Sequence, residues 1–279
     1  MTDLYSVIGN PVEHSLSPRI HTMFAKANSQ NLIYSKIMCS KDTFVKAVAE
    51  FRDSGGVGLN VTVPFKADAA DVADKRSKLV AESGVANVLY FKNGKIIADN
   101  TDGLGLVIDL KKNLDFGLKG KRILILGAGG ACAGSLGPIL AEMPRHVTIT
   151  NRTLENAERL VGGFQRENVI VEASSIDDLV KEPYDLIINS TSASLFGVTL
   201  ALPKEIFSAD SLAYDMMYGN QSLDFLGSAK KSGAAKVADG IGMLVEQAAE
   251  SFLIWRGIRP KTKNIIRALG RISNGNFSS

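Results

Sequence analysis

The stretch KGKRILILGAGGACAG, Lys119 to Gly134, decides the fold. Arg122 to Leu126 is a continuous apolar run, as expected of a parallel strand buried on both faces. A glycine-rich turn follows at once, and then a helix-like stretch. Strand, turn and helix in that order open a dinucleotide-binding unit. Gly127 permits the tight turn. Gly129 lets the backbone approach a pyrophosphate at the helix N-terminus, where free N–H groups and the positive dipole end lie. The strict GxGxxG spacing fails, because Cys132 holds the third glycine position and glycine returns only at Gly134. A plain strand-to-helix turn accounts for the same residues. Pro138 is expected to kink or shorten the helix.

Downstream, the run His146–Thr150 reads as the second strand and ends in TNRT, Thr150 to Thr153. An NAD site places a carboxylate here for the ribose 2′-hydroxyl. This chain has Asn151, Arg152 and Thr153 instead. A guanidinium suits a 2′-phosphate, which it grips through two parallel hydrogen bonds, so NADP is expected rather than NAD. The competing reading makes Arg152 a surface arginine and Thr153 the N-cap of a helix from about Leu154.

Further strands are expected at Val169–Glu172, Asp185–Asn189 and Leu212–Met216, with helices in most gaps. Upstream, Leu4–Ile8, Leu32–Met38 and Gly58–Val63 read as strands, with a helix beginning at Pro18 as its first position. NVLYFKNGKIIADN, Asn87 to Asn100, reads as a hairpin turned at Asn93-Gly94. Helices over Met243–Arg256 and Thr262–Ile272 close the chain. This alternation is the mark of an α/β fold. It divides into a first domain over 1–103, completed by 240–279, and a Rossmann-like domain over 104–239.

The 279 residues fit two domains at roughly 150 residues each. Apolar residues at 45% and charged residues at 22% describe a globular protein with a sizeable core. The start MTDLYSVIGN does not read as a secretory signal, and no apolar run reaches the roughly 18 residues a membrane span needs. Cys39 and Cys132, the only two cysteines, frame no disulfide fold, so a reducing cytoplasm is expected. The net charge of +3 is dispersed. Its densest group, Lys119, Lys121 and Arg122, reads as a solvated linker, and no nucleic-acid partner is expected. His14, His21 and His146 make no ligand cluster with either cysteine, so no metal is expected.

Three polar segments precede the Rossmann pattern. GNPVEHSLSP, Gly9 to Pro18, puts Ser15 and Ser17 two apart, on one side of an extended segment. Either both hydroxyls face a ligand, or Ser17 is an N-cap before proline. Lys66 ends NVTVPFK, and Asp102 lies in DNTDG, both in loops at strand ends, where α/β proteins bind ligands.

GNPVEHSLSP, NVTVPFK, DNTDG, GAGG, TNRT, YDMMY and ADGIGMLVEQA, in this order and spacing, resemble the common biosynthetic type of shikimate dehydrogenase. The resemblance covers nearly the whole chain. It implies an N-terminal α/β substrate domain and a Rossmann domain, with the active site in the cleft between them and the C-terminal helices packed back on the first. It implies NADPH-dependent reduction of 3-dehydroshikimate to shikimate in a monomer or homodimer. Lys66 and Asp102 match the catalytic pair. Ser15, Ser17, Asn60, Thr62, Asn87, Tyr218 and Gln247 match substrate-binding positions. Gly127, Ala128, Gly129, Gly130, Ala131, Asn151, Arg152, Thr153 and Gly240 match the cofactor site.

The chain departs from the family pattern at Val88, Cys132, Ala133, Asn156, Leu223 and Asp224. These departures leave the catalytic pair untouched and bear on the cofactor site and the shape of the cleft. Lys66 as an ammonium would stabilise charge building on the ketone oxygen and deliver its proton, with Asp102 holding it. Two other expectations fit the same scaffold: a quinate/shikimate dehydrogenase of broader specificity, and a non-catalytic NADP-sensing protein.

Overall fold

Tyr5 to Gly9 are all buried, which marks this segment as a strand covered on both faces. The computed structural model describes residues 2–179, 182–192 and 201–271. They form two units, each built on a six-stranded sheet.

The first unit contains β1 (Asp3–Gly9), β2 (Leu32–Met38), β3 (Gly56–Val61), β4 (Lys75–Arg76), β5 (Val88–Lys92) and β6 (Lys95–Asp99), in the order β2-β1-β3-β5-β6-β4. β1 is parallel to β2 and β3, and the β5–β6 hairpin adds antiparallel to β3. Its turn residues Asn93 and Gly94 both have positive φ, 52° and 72°, as a type I′ turn demands. Side chains along β1 alternate. Tyr5 and Val7 join Val12 and Tyr34 on one face, while Ile8 joins Phe44, Val48, Leu59 and Phe65 on the other.

Helix α1 (Ser17–Ala27) turns Ile20 and Phe24 inward, and Phe24 meets Phe252 edge to face at 5.8 Å. Phe252 belongs to the long helix Ile241–Arg256. Each such ring, fully buried, stabilises the unit by roughly 1.5–3 kcal/mol. Helix α2 (Phe44–Asp53) buries Phe44 and Val48 against the other face. The sequence placed the end of β3 at Val63. The strand stops at Val61, because Val63 is exposed and precedes Pro64, which has no N–H for the ladder.

The second unit contains β7 (Arg122–Leu126), β8 (His146–Thr150), β9 (Ile170–Ser174), β10 (Leu186–Asn189), β11 (Leu212–Asp215) and β12 (Lys236–Ala238). All are parallel, in the order β12-β11-β10-β7-β8-β9. The chain builds outward from β7 to one side and returns through β10 to the other. Ligands of such sheets bind where the order reverses, beyond the carboxyl ends of the strands. The helix after β7, Gly130–Ala141, continues three residues beyond Pro138, so proline does not end it there. Cys132 is fully buried, and burial pushes its thiol up to about 12. It therefore fills the third glycine position as an inert core residue. Lys121 and Arg122 are not a solvated linker: Lys121 pairs with Asp185 at 2.9 Å, and Arg122 pairs with Glu182 across the Tyr184 ring.

The first unit runs to Leu106 and resumes over Leu244–Ile265, while Val107–Met243 and the chain from Ile266 form the second. The described residues after Ile265 therefore group with the second unit. The reason is a buried ion pair: Arg271 grips Asp109 through both Nη atoms at 2.9 and 2.5 Å, and the Tyr214 hydroxyl donates to Asp109 at 2.8 Å. The last helix is Lys263–Ala268. It stops four residues short of the expected Ile272, because Leu269 and Gly270 already turn, Gly270 with φ of 74°. Among the described residues no helix is long and apolar enough to cross a membrane. No group of three or more His, Cys, Asp or Glu among them is placed to hold a metal ion.

Candidate active site

Two helix starts in the first unit bring the expected catalytic pair together. Lys66 opens the short helix Lys66–Asp71 after β3, and Asp102 opens the helix Asp102–Ile108 after β6. Lys66 Nζ stands 2.6 Å from Asp102 Oδ2, with 15% and 9% of the two side chains exposed. Asp102 Oδ1 accepts from Asn87 Nδ2 at 2.9 Å. The Asp102 backbone N–H donates to Asn100 Oδ1 at 3.0 Å, which fixes where the helix begins.

Asn87 is held on every side. Its Oδ1 takes the Thr101 N–H at 2.8 Å, and its Nδ2 also lies 3.0 Å from Thr101 Oγ1 and 3.1 Å from Gln247 Oε1. An amide has two protons and one oxygen. Asn87 is thus engaged within the protein, with one of its bonds to Asp102. Asn60 is similarly committed. Its Nδ2 donates to the Asn87 carbonyl at 3.2 Å and to Ser251 Oγ at 3.0 Å, and its Oδ1 takes the Tyr34 hydroxyl at 2.7 Å. Asn60 meets a ligand only as an acceptor. Gln247 gives one amide proton to the Leu244 carbonyl at 2.9 Å and keeps the other.

Ser17 does not cap its helix. Helix α1 starts at Ser17 itself, with Leu16 at the cap position and Pro18 second, and no side-chain cap bond forms. The Ser15 hydroxyl donates to Ser17 Oγ at 3.2 Å. Burial drives the Tyr34 phenol pKa well up, and drives that of His21, stacked on Tyr34 at 4.3 Å, down to about 3. Both rings are therefore neutral at pH 7. Thr62 lies just beyond β3 and is fixed through its backbone, its N–H donating to the Ile8 carbonyl at 3.0 Å. Tyr218 and Gly240 belong to the second unit.

In the second unit, Gly127 has φ of +99°, a conformation that requires glycine. A Cβ added at Gly129 would meet no protein atom within 4 Å. Protein packing therefore does not demand glycine there. Gly129 is the cap residue of the helix Gly130–Ala141, which has no side-chain cap, so its first N–H groups remain available. Ala128 N–H donates to Asn151 Oδ1 at 3.3 Å, and Asn151 Nδ2 donates to the Thr153 carbonyl at 2.9 Å. Asn151 thereby ties the glycine loop to the TNRT turn. Arg152 is exposed and has no ion pair among the described residues. Thr153 stands at the cap of Leu154–Gly162 without a side-chain cap bond. Gly240 is a packing requirement: a Cβ there would lie 2.2 Å from the Met216 carbonyl oxygen.

Three family profiles match the chain: "Shikimate dehydrogenase substrate binding domain" over residues 7–89, "Shikimate / quinate 5-dehydrogenase" over 109–214, and "Shikimate 5'-dehydrogenase C-terminal domain" over 240–269. The shikimate dehydrogenase (NADP(+)) of Dechloromonas aromatica is 49% identical over 269 residues, 96% of this chain and 98% of that protein. The chain belongs to the shikimate dehydrogenase family. The crystal structure of an Ael1 enzyme from Pseudomonas putida is 42% identical, with a TM-score of 0.90 over 96% of this chain and 98% of that one. The shikimate 5-dehydrogenase of Thermus thermophilus, solved in complex with NADP(H) and shikimate, is 28% identical, with a TM-score of 0.84 over 96% and 98%.

Three side chains stand beside the family's matched positions without having been singled out by the motifs. Thr101 and Ser251 are fully buried and 3.2 Å apart, linking Asn87 to Asn60. Ser251 lies four residues after Gln247, one helical turn away on the same face, a spacing the sequence does display. Tyr34, in the middle of β2, carries no sequence signal of its polar contacts.

Proposed function

We propose that this chain interconverts 3-dehydroshikimate and shikimate with NADP(H). Its first unit takes the substrate and its second the cofactor. The observation that carries the reading is the Lys66–Asp102 pair at 2.6 Å, with Asp102 fixed in turn by Asn87. The second unit fits a phosphorylated dinucleotide, with open space at Gly129, an uncapped helix N-terminus and the exposed Arg152. The relatives named as NADP(+)-dependent support the same cofactor.

NADPH, when bound, supplies the hydride that adds to the ketone carbon. The Lys66 ammonium stabilises negative charge growing on the ketone oxygen and donates the proton that completes the alcohol. Asp102 holds that ammonium in place. Ser15 and Ser17 meet the substrate carboxylate, assisted by the dipole of the helix that starts at Ser17. Gln247 offers its remaining amide proton, and Asn60 an acceptor, to the ring hydroxyls. Arg152, with Asn151 and Thr153, receives the 2′-phosphate. A protein that only sensed NADP would have no use for the lysine–aspartate pair.

Lys66→Ala tests the reading. Absorbance at the NADPH band should show kcat for shikimate oxidation lowered by about 10²- to 10⁴-fold with KM little changed. A raised KM at unchanged kcat would assign Lys66 to binding alone.

A further inference from the structure

Asn189 and Asp215 end β10 and β11, and Asp239 follows β12; all three side chains are buried. The Thr191 N–H, an obligate donor, points at Asn189 Oδ1 at 3.1 Å, and this identifies the oxygen end of the amide. The Thr191 hydroxyl donates to the same oxygen at 2.7 Å. Asn189 Nδ2 therefore faces Asp215 and donates to Oδ2 at 3.0 Å. Asp215 Oδ1 takes the Met217 N–H at 2.9 Å. Asp239 takes the Gly219 N–H at 3.2 Å, so two carboxylates hold the turn on either side of Tyr218. The Met217 carbonyl in turn accepts from Gly240 N–H at 2.9 Å. At the other end of this line, a Cβ on Gly127 would lie 2.9 Å from Thr191 Cγ2, and Ser190 Oγ stands 2.7 Å from the Leu126 carbonyl oxygen. A continuous set of bonds and contacts thus joins the glycine-rich loop to the turn around Tyr218.

The sheet order says what lies along that line. Arg152 follows β8, on one side of β7, while β10 and β11 lie on the other side. A dinucleotide laid across the reversal, with its 2′-phosphate at Arg152 and its pyrophosphate at the glycine loop, carries its nicotinamide half toward β10 and β11. We propose that Asp215 is a positioning residue for that half: aimed by Asn189, its carboxylate holds the turn around Tyr218 in register with the glycine-rich loop. The inference rests on the reading that the second unit takes NADP.

Asp215→Asn leaves one acceptor for two donors, Met217 N–H and Asn189 Nδ2, and Asn189 cannot turn over without abandoning Thr191. Asn189→Asp errs in the opposite sense and sets two carboxylates face to face. The two substitutions together match every donor again. The new carboxylate accepts from Thr191 and from the new amide, whose oxygen takes the Met217 N–H. Dissociation constants are measured by calorimetry at pH 8, above the value of about 7 to which burial raises Asp215. The ligands are NADP and adenosine 2′,5′-bisphosphate, which keeps the 2′-phosphate and lacks nicotinamide. Each single variant should bind NADP about ten-fold more weakly, the low end of what a hydrogen bond to a charged group supplies. Each should bind the bisphosphate as the parent does, and the exchange should restore parental NADP affinity. A merely structural role would weaken both ligands alike. If the single variants do not fold, the exchange decides alone: it must fold and bind NADP as the parent does. Unchanged NADP binding in Asp215→Asn, an equal loss of the bisphosphate, or an exchange that restores nothing overturns the inference and leaves the cofactor reading standing. A parent that binds neither ligand defeats both.

Discussion

Asp102→Asn changes one atom and should disable the candidate site. Asp102 presents two acceptors: Oδ2 to Lys66 at 2.6 Å and Oδ1 to Asn87 Nδ2 at 2.9 Å. An amide has only one acceptor, so either Lys66 or Asn87 must face an NH₂ group. Asn87 cannot flip to relieve the conflict, because its Oδ1 already holds the Thr101 N–H at 2.8 Å. The lost attraction is large in gross terms: two unit charges at this separation gain about 6 kcal/mol at an effective dielectric near 20. Desolvation offsets much of that, and removing one partner of a buried pair costs about 3–5 kcal/mol net. Lys66 and Asp102 retain 15% and 9% side-chain exposure, which places the loss at the lower end of that range. Urea unfolding should therefore show about 3 kcal/mol of lost stability. Initial rates of NADPH formation from shikimate should fall by about 10²-fold or more, since Lys66 is no longer held where the hydroxyl proton is transferred. A variant that folds and keeps the parent's kcat would refute the assignment of Asp102.

Arg152→Ala should raise KM for NADP by about ten- to hundred-fold and leave NAD nearly unchanged, as loss of one charge-assisted contact implies; a surviving NADP preference in kcat/KM for the two cofactors would make Arg152 a surface arginine. Gly129 and Gly240 should respond oppositely to alanine. Gly240→Ala drives a Cβ toward the Met216 carbonyl and should lower stability by about 1–3 kcal/mol in urea unfolding. Gly129→Ala enters open space, so stability should hold while NADP affinity falls; unchanged affinity would mean that no ligand approaches there. Acid should act in opposite senses on the two units. His21 has its folded pKa lowered to about 3, so its contribution is present above pH 6.5 and lost as pH falls, by about 2 kcal/mol between pH 8 and 5. Asp215 has its folded pKa raised to about 7, chiefly by burial, so its contribution is present below pH 3.8 and lost as pH rises through 7, a gain of about 2–3 kcal/mol from pH 8 to 5. His21→Phe should remove the loss and Asp215→Asn the gain; variant curves parallel to the parent's at both pH values would contradict the assignment.

The Rossmann unit was legible because Ile123–Leu126 is a bare apolar run before a glycine turn and His146–Thr150 is rich in β-branched residues. Arg122–Leu126 and His146–Thr150 stand as expected to the residue. β4 and β12 were not, because Lys75–Arg76 and Lys236–Ala238 are too short to show a period. Their places come from neighbouring strands rather than from their own pattern. The start of α1 was misplaced by one residue because proline is tolerated at more than one position of a first turn. In the site, physical reasoning from the residues reached Gly127, Gly129 and Arg152, since turn geometry and charge are local properties. Asn60, Asn87 and Gln247 came from the resemblance, because partners 27 and 160 residues apart leave no mark on spacing. Tyr34 came from neither: its hydroxyl donates to Asn60, 26 residues away, and no local pattern marks that partner.

The most direct test compares initial rates of NADPH or NADH formation with shikimate or quinate as substrate and NADP or NAD as cofactor. The highest kcat/KM is expected for shikimate with NADP. No cofactor reduction with shikimate, or a preference for quinate, would contradict the account.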